Sequence, residues 1–125
     1  MHDQKGVVYR IGCEKCDAVY IGETGRMLKD RINQHKSDVH DKKATNGLFQ
    51  HTKLFKQHKI KWNEVCVIEK EIHWQSRRLK EALFINAIDP SGKNNKKLMN
   101  LEKGWDMNPI WHAFNACIRK EVEKK

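Results

Sequence analysis

From Val7 to Ile11 the chain runs Val-Val-Tyr-Arg-Ile, and from Ala18 to Ile21 it runs Ala-Val-Tyr-Ile, with a polar insert between. β-Branched and aromatic side chains suit a pleated, half-buried surface, so the two stretches predict an antiparallel hairpin. Gly22-Glu23-Thr24-Gly25 then interrupts the strand pattern, and from Arg26 to about Val39 the residues Leu28, Ile32 and His35 recur at helical spacing among charges. The second strand is expected to enter that helix through a glycine turn. Asp38 to Asn46 reads as a polar loop, and Leu48 to about Gln57 as a short helix with Leu48, Phe49, Leu54 and Phe55 on one face.

Trp62 to Glu69 predicts a third strand, and Gln75 to Ala87 a helix with Leu79, Ala82, Leu83 and Asn86 on one side, ended by Asp89-Pro90-Ser91-Gly92. A Lys/Asn-rich loop continues to Lys97. Pro109 suits the first turn of a last helix, Ile110 to about Val122. Three strands joined first by a hairpin and then by a helical excursion make an α+β fold, a small three-stranded antiparallel sheet flanked by helices.

A chain of 125 residues suits one domain, 1–125, and hence one principal site. Mean hydropathy is -0.84 and 33% of residues are charged, which leaves a modest core that a bound metal would help to hold. Lys and Arg outnumber Asp and Glu by 25 to 16, a net charge of +9 that draws polyanions, nucleic acid first among them. No apolar run approaches a membrane span, and the first residues lack a secretion signal, so an intracellular location is expected. Of the four cysteines only Cys13 and Cys16 are close in sequence, while Cys66 and Cys117 have apolar neighbours, as small core residues would; this fits a reducing compartment.

Tyr9 and Tyr20 fall at the centres of adjacent strands, and Arg31 and His35, four apart, share a face of the helix that follows. Each alone has an ordinary structural explanation in packing or surface decoration. Glu81 is equally explicable as the i, i+4 partner of Arg77. Cys13-Glu14-Lys15-Cys16 places two soft ligands in the hairpin turn, and His51 and His58 lie on or just after the second helix. Together they make a Cys2His2 set able to close a tetrahedral zinc site with no open position, a structural role. A thiol redox pair, or free thiols with two surface histidines, are the competing readings.

Val7-Val8-Tyr9, ten intervening residues, Tyr20-Ile21-Gly22, then Arg31 and His35 resemble the defining hairpin and first helix of the GIY-YIG endonucleases. The run Val19-Tyr20-Ile21-Gly22-Glu23-Thr24-Gly25-Arg26 is similar to the form found in Penelope-like retroelements, and the likeness extends through Glu81 to the segment Met99–Gly104. Val7 stands where the family usually has Gly and Val8 where it has Ile, substitutions a strand accepts. The resemblance implies a GIY-YIG-like fold and phosphodiester hydrolysis. Glu81 would hold Mg²⁺ or Mn²⁺, Arg31 would stabilise the phosphate, and Tyr9, Tyr20 and His35 would orient or deprotonate water. Asn100 would brace the site or touch substrate. The general base is left between Tyr9, favoured by the likeness, and His35, whose ordinary pKa is better poised. Two Cys between the Tyr motifs and two later His also form a zinc set in the Penelope-like nucleases, as Cys13, Cys16, His51 and His58 do here.

DNA is the implied substrate, met by Arg26, Lys29, Lys36, Lys42 and Lys43 around the first helix and by Lys93, Lys96 and Lys97 before Asn100. Trp74, Trp105 and Trp111 could stack on bases, but read first as core residues with one exposed. By resemblance the domain is cut from a longer polyprotein with an upstream reverse transcriptase, works in the nucleus, and nicks target DNA to prime reverse transcription. The alternative is a catalytically silent, zinc-containing nucleic-acid-binding module.

Overall fold

The computed structural model describes residues 4–89 and 98–101. Strand β1, Lys5–Gly12, pairs antiparallel with β2, Val19–Met27, on one side and with β3, Cys66–Lys70, on the other, giving the order β2-β1-β3. As the middle strand, β1 is covered on both faces, so Val7, Val8, Tyr9 and Ile11 are all buried instead of alternating with polar residues. Helix α1, Leu28–His40, and helix α2, Gly47–Leu54, close one face through Leu28, Ile32 and Leu48, which pack with Val7, Tyr9 and Ile11. Helix α3, Trp74–Ile88, closes the other, with Phe84 and Ile85 against Val8, Ile21 and Ile68. This is the α+β arrangement the sequence predicts.

Several details differ from the sequence pattern. The glycines after Tyr20 do not turn the chain: β2 continues to Met27, with Thr24 opposite Val7 and a bulge between the pairs made by Lys5 and Val7. Gly22 lies opposite Tyr9, and a β-carbon there would run into the Tyr9 ring. The glycine marks a close approach within a strand. Trp62–Glu64 is a 3₁₀ turn, held by the Trp62 and Glu64 amides donating to Ile60 and Lys61 carbonyls, so β3 starts only at Cys66. Because β3 is an edge strand, Cys66 is exposed while Ile68 packs inward, the reverse of a core cysteine. On α3 the buried residues are Arg77, Ala82, Phe84, Ile85 and Ala87, with Leu79 and Leu83 only half-buried.

Helix α2 is shorter than predicted and leaves Leu54 and Phe55 exposed. Its start is set by Asn46, whose Oδ1 accepts from the Leu48 and Phe49 amides, satisfying two of the donors a helix N-terminus otherwise leaves open. Residues 98–101 return to the outer edge of β2: Val19 bridges Leu98 in parallel, and the Met99 amide donates to the Val19 carbonyl at 2.8 Å. Among the described residues no helix is long and apolar enough to cross a membrane. Lys93, Lys96, Lys97, Trp105, Trp111, Cys117, the segment 102–104 and the expected helix 110–122 lie outside the described residues.

Candidate active site and metal-binding cluster

The face of the sheet under α1 brings Tyr9, Tyr20, Arg31 and His35 together. Opposed residues of an antiparallel pair share a face, and Tyr9 opposes Gly22 while Ile11 opposes Tyr20, so the two tyrosines emerge side by side with no side chain at Gly22 between them. Their rings are 6.4 Å apart. The His35 ring stands edge-on to both, 5.9 Å from Tyr9 and 5.0 Å from Tyr20. His35 Nε2 is 2.7 Å from the Tyr9 hydroxyl, and Arg31, one turn earlier on α1, is within hydrogen-bonding reach of the same hydroxyl.

Tyr9 and His35 are both fully buried, and burial favours the neutral form of each. It pushes the His35 pKa down to about 3, helped by the Arg31 charge and opposed by Asp38. It pushes Tyr9 well above the ordinary phenol value, as does Tyr20, while Arg31 pulls it down and the Glu81 carboxylate pushes it up. The charge of Glu81, half-buried on α3, therefore reaches Tyr9 from the opposite helix layer. Burial works against the Arg31 charge, but Tyr9, Tyr20 and Asp38 outweigh it and raise its pKa.

Arg77 is engaged by Glu23. Its Nε donates to the Glu23 carboxylate, and its Nη1 donates to the Glu71 and Ile72 carbonyls. Asn100 grips the backbone of β2: its Oδ1 accepts from the Ile21 amide at 2.9 Å, and its Nδ2 donates to the Ile21 carbonyl at 2.6 Å. It braces the residue next to Tyr20. The sequence left open whether Asn100 would brace or touch substrate; these two bonds give it a bracing contact and leave its second amide hydrogen and second oxygen lone pair uncommitted by them.

The second constellation lies where the hairpin turn meets α2. Cys13 Sγ is 3.3 Å from His58 Nδ1, Cys16 Sγ is 3.5 Å from His51 Nε2, and the two histidine nitrogens are 3.2 Å apart. All four donor atoms fall within 4.8 Å of one another. Zn–S bonds of ~2.3 Å and Zn–N bonds of ~2.0 Å in a tetrahedron require donor–donor edges of roughly 3.3–3.8 Å, so two thiols and two imidazoles arranged this way fit a closed zinc site. The Lys15 amide donates to Cys13 Sγ at 3.5 Å. Burial, then His58, lowers the His51 pKa and keeps that imidazole in its ligating form. Phe55 lies against both histidines, stacked on His58 at 4.9 Å and 5.1 Å from His51. This explains an exposed aromatic at the end of α2 that sequence periodicity had assigned to a buried face.

Arg26, Lys29, Lys36, Lys42 and Lys43 are all exposed on or beside α1. Lys43 faces Asp38 at 3.7 Å, and Lys36 lies over the Trp62 ring. Trp74 is exposed and stacks with Arg78, so its role is not core packing.

Sequence reasoning missed Asn46. Its Nδ2 lies 3.2 Å from both His35 Nδ1 and Asp38 Oδ2, which places it directly behind the site. Only its cap position before an apolar run marks it in sequence.

Residues 5–83 match the GIY-YIG catalytic domain. No curated protein and no solved structure matches the chain.

Proposed function

We propose, from the premise that the chain belongs to the GIY-YIG catalytic domain family, that it is a divalent-metal-dependent DNA endonuclease with a separate structural zinc site. The observation that carries this reading is the meeting of Tyr9, Tyr20, Arg31 and His35 at one point of the sheet, within electrostatic range of Glu81.

Hydrolysis of a phosphodiester requires a deprotonated water, positive charge opposite the phosphate and help for the leaving oxygen. Tyr9 acts as the base in its phenolate form, having first lost its own proton to solvent; the Arg31 charge favours that ionised form against the burial, Tyr20 and Glu81 that oppose it, and the water proton then passes to the phenolate oxygen. His35, neutral down to about pH 3, orients Tyr9 and takes no proton itself. The Arg31 guanidinium meets the negative charge on the phosphoryl oxygens as the water oxygen bonds to phosphorus and the ester P–O bond breaks, the leaving oxygen taking its proton from solvent. Tyr20 lines the same space. Glu81 would hold a Mg²⁺ or Mn²⁺ ion, which when bound would supply Lewis acidity at the phosphate; a single carboxylate suits an ion that keeps most of its water shell. The exposed Arg26, Lys29, Lys36, Lys42 and Lys43 give a cationic flank for phosphates, to which Lys93, Lys96 and Lys97 add charge in sequence.

The zinc set supports a narrower kinship with the Penelope-like retroelement nucleases, and with it nicking in the nucleus that primes an attached reverse transcriptase. Incubating supercoiled plasmid with the zinc-loaded protein, with and without Mg²⁺, tests the central reading. We expect Mg²⁺-dependent nicked product, lost in Glu81→Ala while DNA binding persists. Binding with no cleavage under any divalent metal would favour a silent nucleic-acid-binding module instead.

A further inference from the structure

The Asn46 side chain has every hydrogen-bonding position filled. Its Oδ1 accepts from the Leu48 and Phe49 amides at 2.9 and 3.2 Å, and this pair fixes which end of the amide is oxygen. Its two Nδ2 hydrogens are then left for the two acceptors within reach, Asp38 Oδ2 and His35 Nδ1, each 3.2 Å away. Gln34 holds the other Asp38 oxygen at 2.9 Å, so the carboxylate is itself anchored. An imidazole nitrogen that accepts a hydrogen bond carries no proton, so a neutral His35 has its proton on Nε2. Nε2 is the atom 2.7 Å from the Tyr9 hydroxyl.

We propose that Asn46 is a positioning residue for the reaction: by donating to His35 Nδ1 it fixes the Nε2–H tautomer, so that His35 donates to the Tyr9 oxygen and does not accept from it. The direction of that one hydrogen bond matters because a donor aimed at the phenol oxygen favours its ionised form, whereas an acceptor would hold the phenol proton in place. The inference rests on Tyr9 acting as the base in the nuclease reading. Asn46 also caps α2, the helix that carries His51, so one side chain joins that helix to His35, which in turn meets the Tyr9 hydroxyl.

Two variants keep a helix cap and change the donor. Asn46→Ser caps α2 but is too short to reach His35, and Asn46→Asp caps it equally well while offering His35 Nδ1 an acceptor instead of a donor. Long-range ¹H–¹⁵N NMR of histidine-labelled, zinc-loaded protein reads the His35 tautomer directly. We expect Nε2–H in the wild type and a proton on Nδ1 in Asn46→Asp. Plasmid cleavage should show kcat lowered by about 10- to 100-fold in both variants, the scale typical of lost outer-shell orientation, with KM little changed. An Nδ1–H wild type, an unchanged tautomer in Asn46→Asp, or a flipped tautomer with undiminished kcat would each overturn the proposal. A wild type that carries Nε2–H yet cleaves no DNA would sink the nuclease reading and the role of Asn46 in turnover, leaving the tautomer assignment supported by its own measurement.

Discussion

Arg77 on α3 and Glu23 on β2 form an ion pair in which the arginine side chain is only 6% exposed. The same guanidinium reaches the carbonyls of Glu71 and Ile72, so it ties the start of α3 both to the sheet and to its own incoming loop. Removing one partner of such a pair strands the other away from water. Arg77→Ala is expected to cost about 3–5 kcal/mol in urea unfolding, and Glu23→Gln less, because an amide can still accept from arginine. Glu81 lies one turn further along α3, so Arg77→Ala should also raise the Mg²⁺ concentration needed for half-maximal cleavage. A loss under about 1 kcal/mol would mean that the pair is screened as a surface bridge is.

Gly22 is predicted to be intolerant of even one added carbon. Its β-carbon would enter the Tyr9 ring, which is fully buried. Gly22→Ala should destabilise by about 1–3 kcal/mol, as overpacking does, and should break the Tyr9–His35 contact. Folded Gly22→Ala protein that cleaves at the wild-type rate would show that the ring can shift without penalty.

His35 gives the protein an acid limit whose sign follows from its burial. Its folded-state pKa, about 3, lies below the ordinary value of 6.5, so between these values the unfolded chain binds a proton that the folded chain refuses. The stability contributed by neutral His35 is complete above pH 6.5 and is lost as pH falls toward 3, on the order of 1.4 kcal/mol per pH unit. Denaturant titrations of wild type and His35→Gln across pH 7 to 5 isolate this slope from other acid effects. Identical slopes would mean that His35 titrates normally. In cleavage assays the pH–rate profile should show no inflection near 6.5 belonging to His35.

The Cys13, Cys16, His51 and His58 cluster should retain about one zinc per chain through dialysis, as a closed four-donor site does. Zinc in such sites contributes ~10 kcal/mol or more of apparent binding energy, comparable with the whole stability of a domain. Cys13→Ser or His58→Ala should therefore unfold or greatly loosen the protein, and added Mg²⁺ should not restore cleavage. A chelated, metal-free sample with an unchanged melting temperature would refute the structural role.

The hairpin, all three helices through α3 and the composition of both side-chain clusters were legible in sequence because each rests on a local pattern or on residue type. Leu28, Ile32 and His35 pack where their spacing placed them. What escaped the pattern depends on neighbours distant in sequence. Gly22 looks like a turn residue until the Tyr9 ring is seen across the strand pair, and Leu54 and Phe55 look like a buried face until Phe55 is found against two imidazoles. Cys66 has apolar sequence neighbours but sits on an edge strand. Asn46 is the clearest case. Its cap role was readable from position, but its bond to His35 depends on how α1 and α2 pack.

The clasp of Asn100 on Ile21 joins residues 79 positions apart. Contacts of such long range form late, since closing the intervening loop must be offset by structure already in place. During synthesis the hairpin, α1 and the metal-binding turn can all assemble while the flank of Tyr20 is still open. The final clasp waits until Asn100 itself has left the ribosome. A growing chain would thus carry most of its basic side chains before the strand beside Tyr20 is clasped.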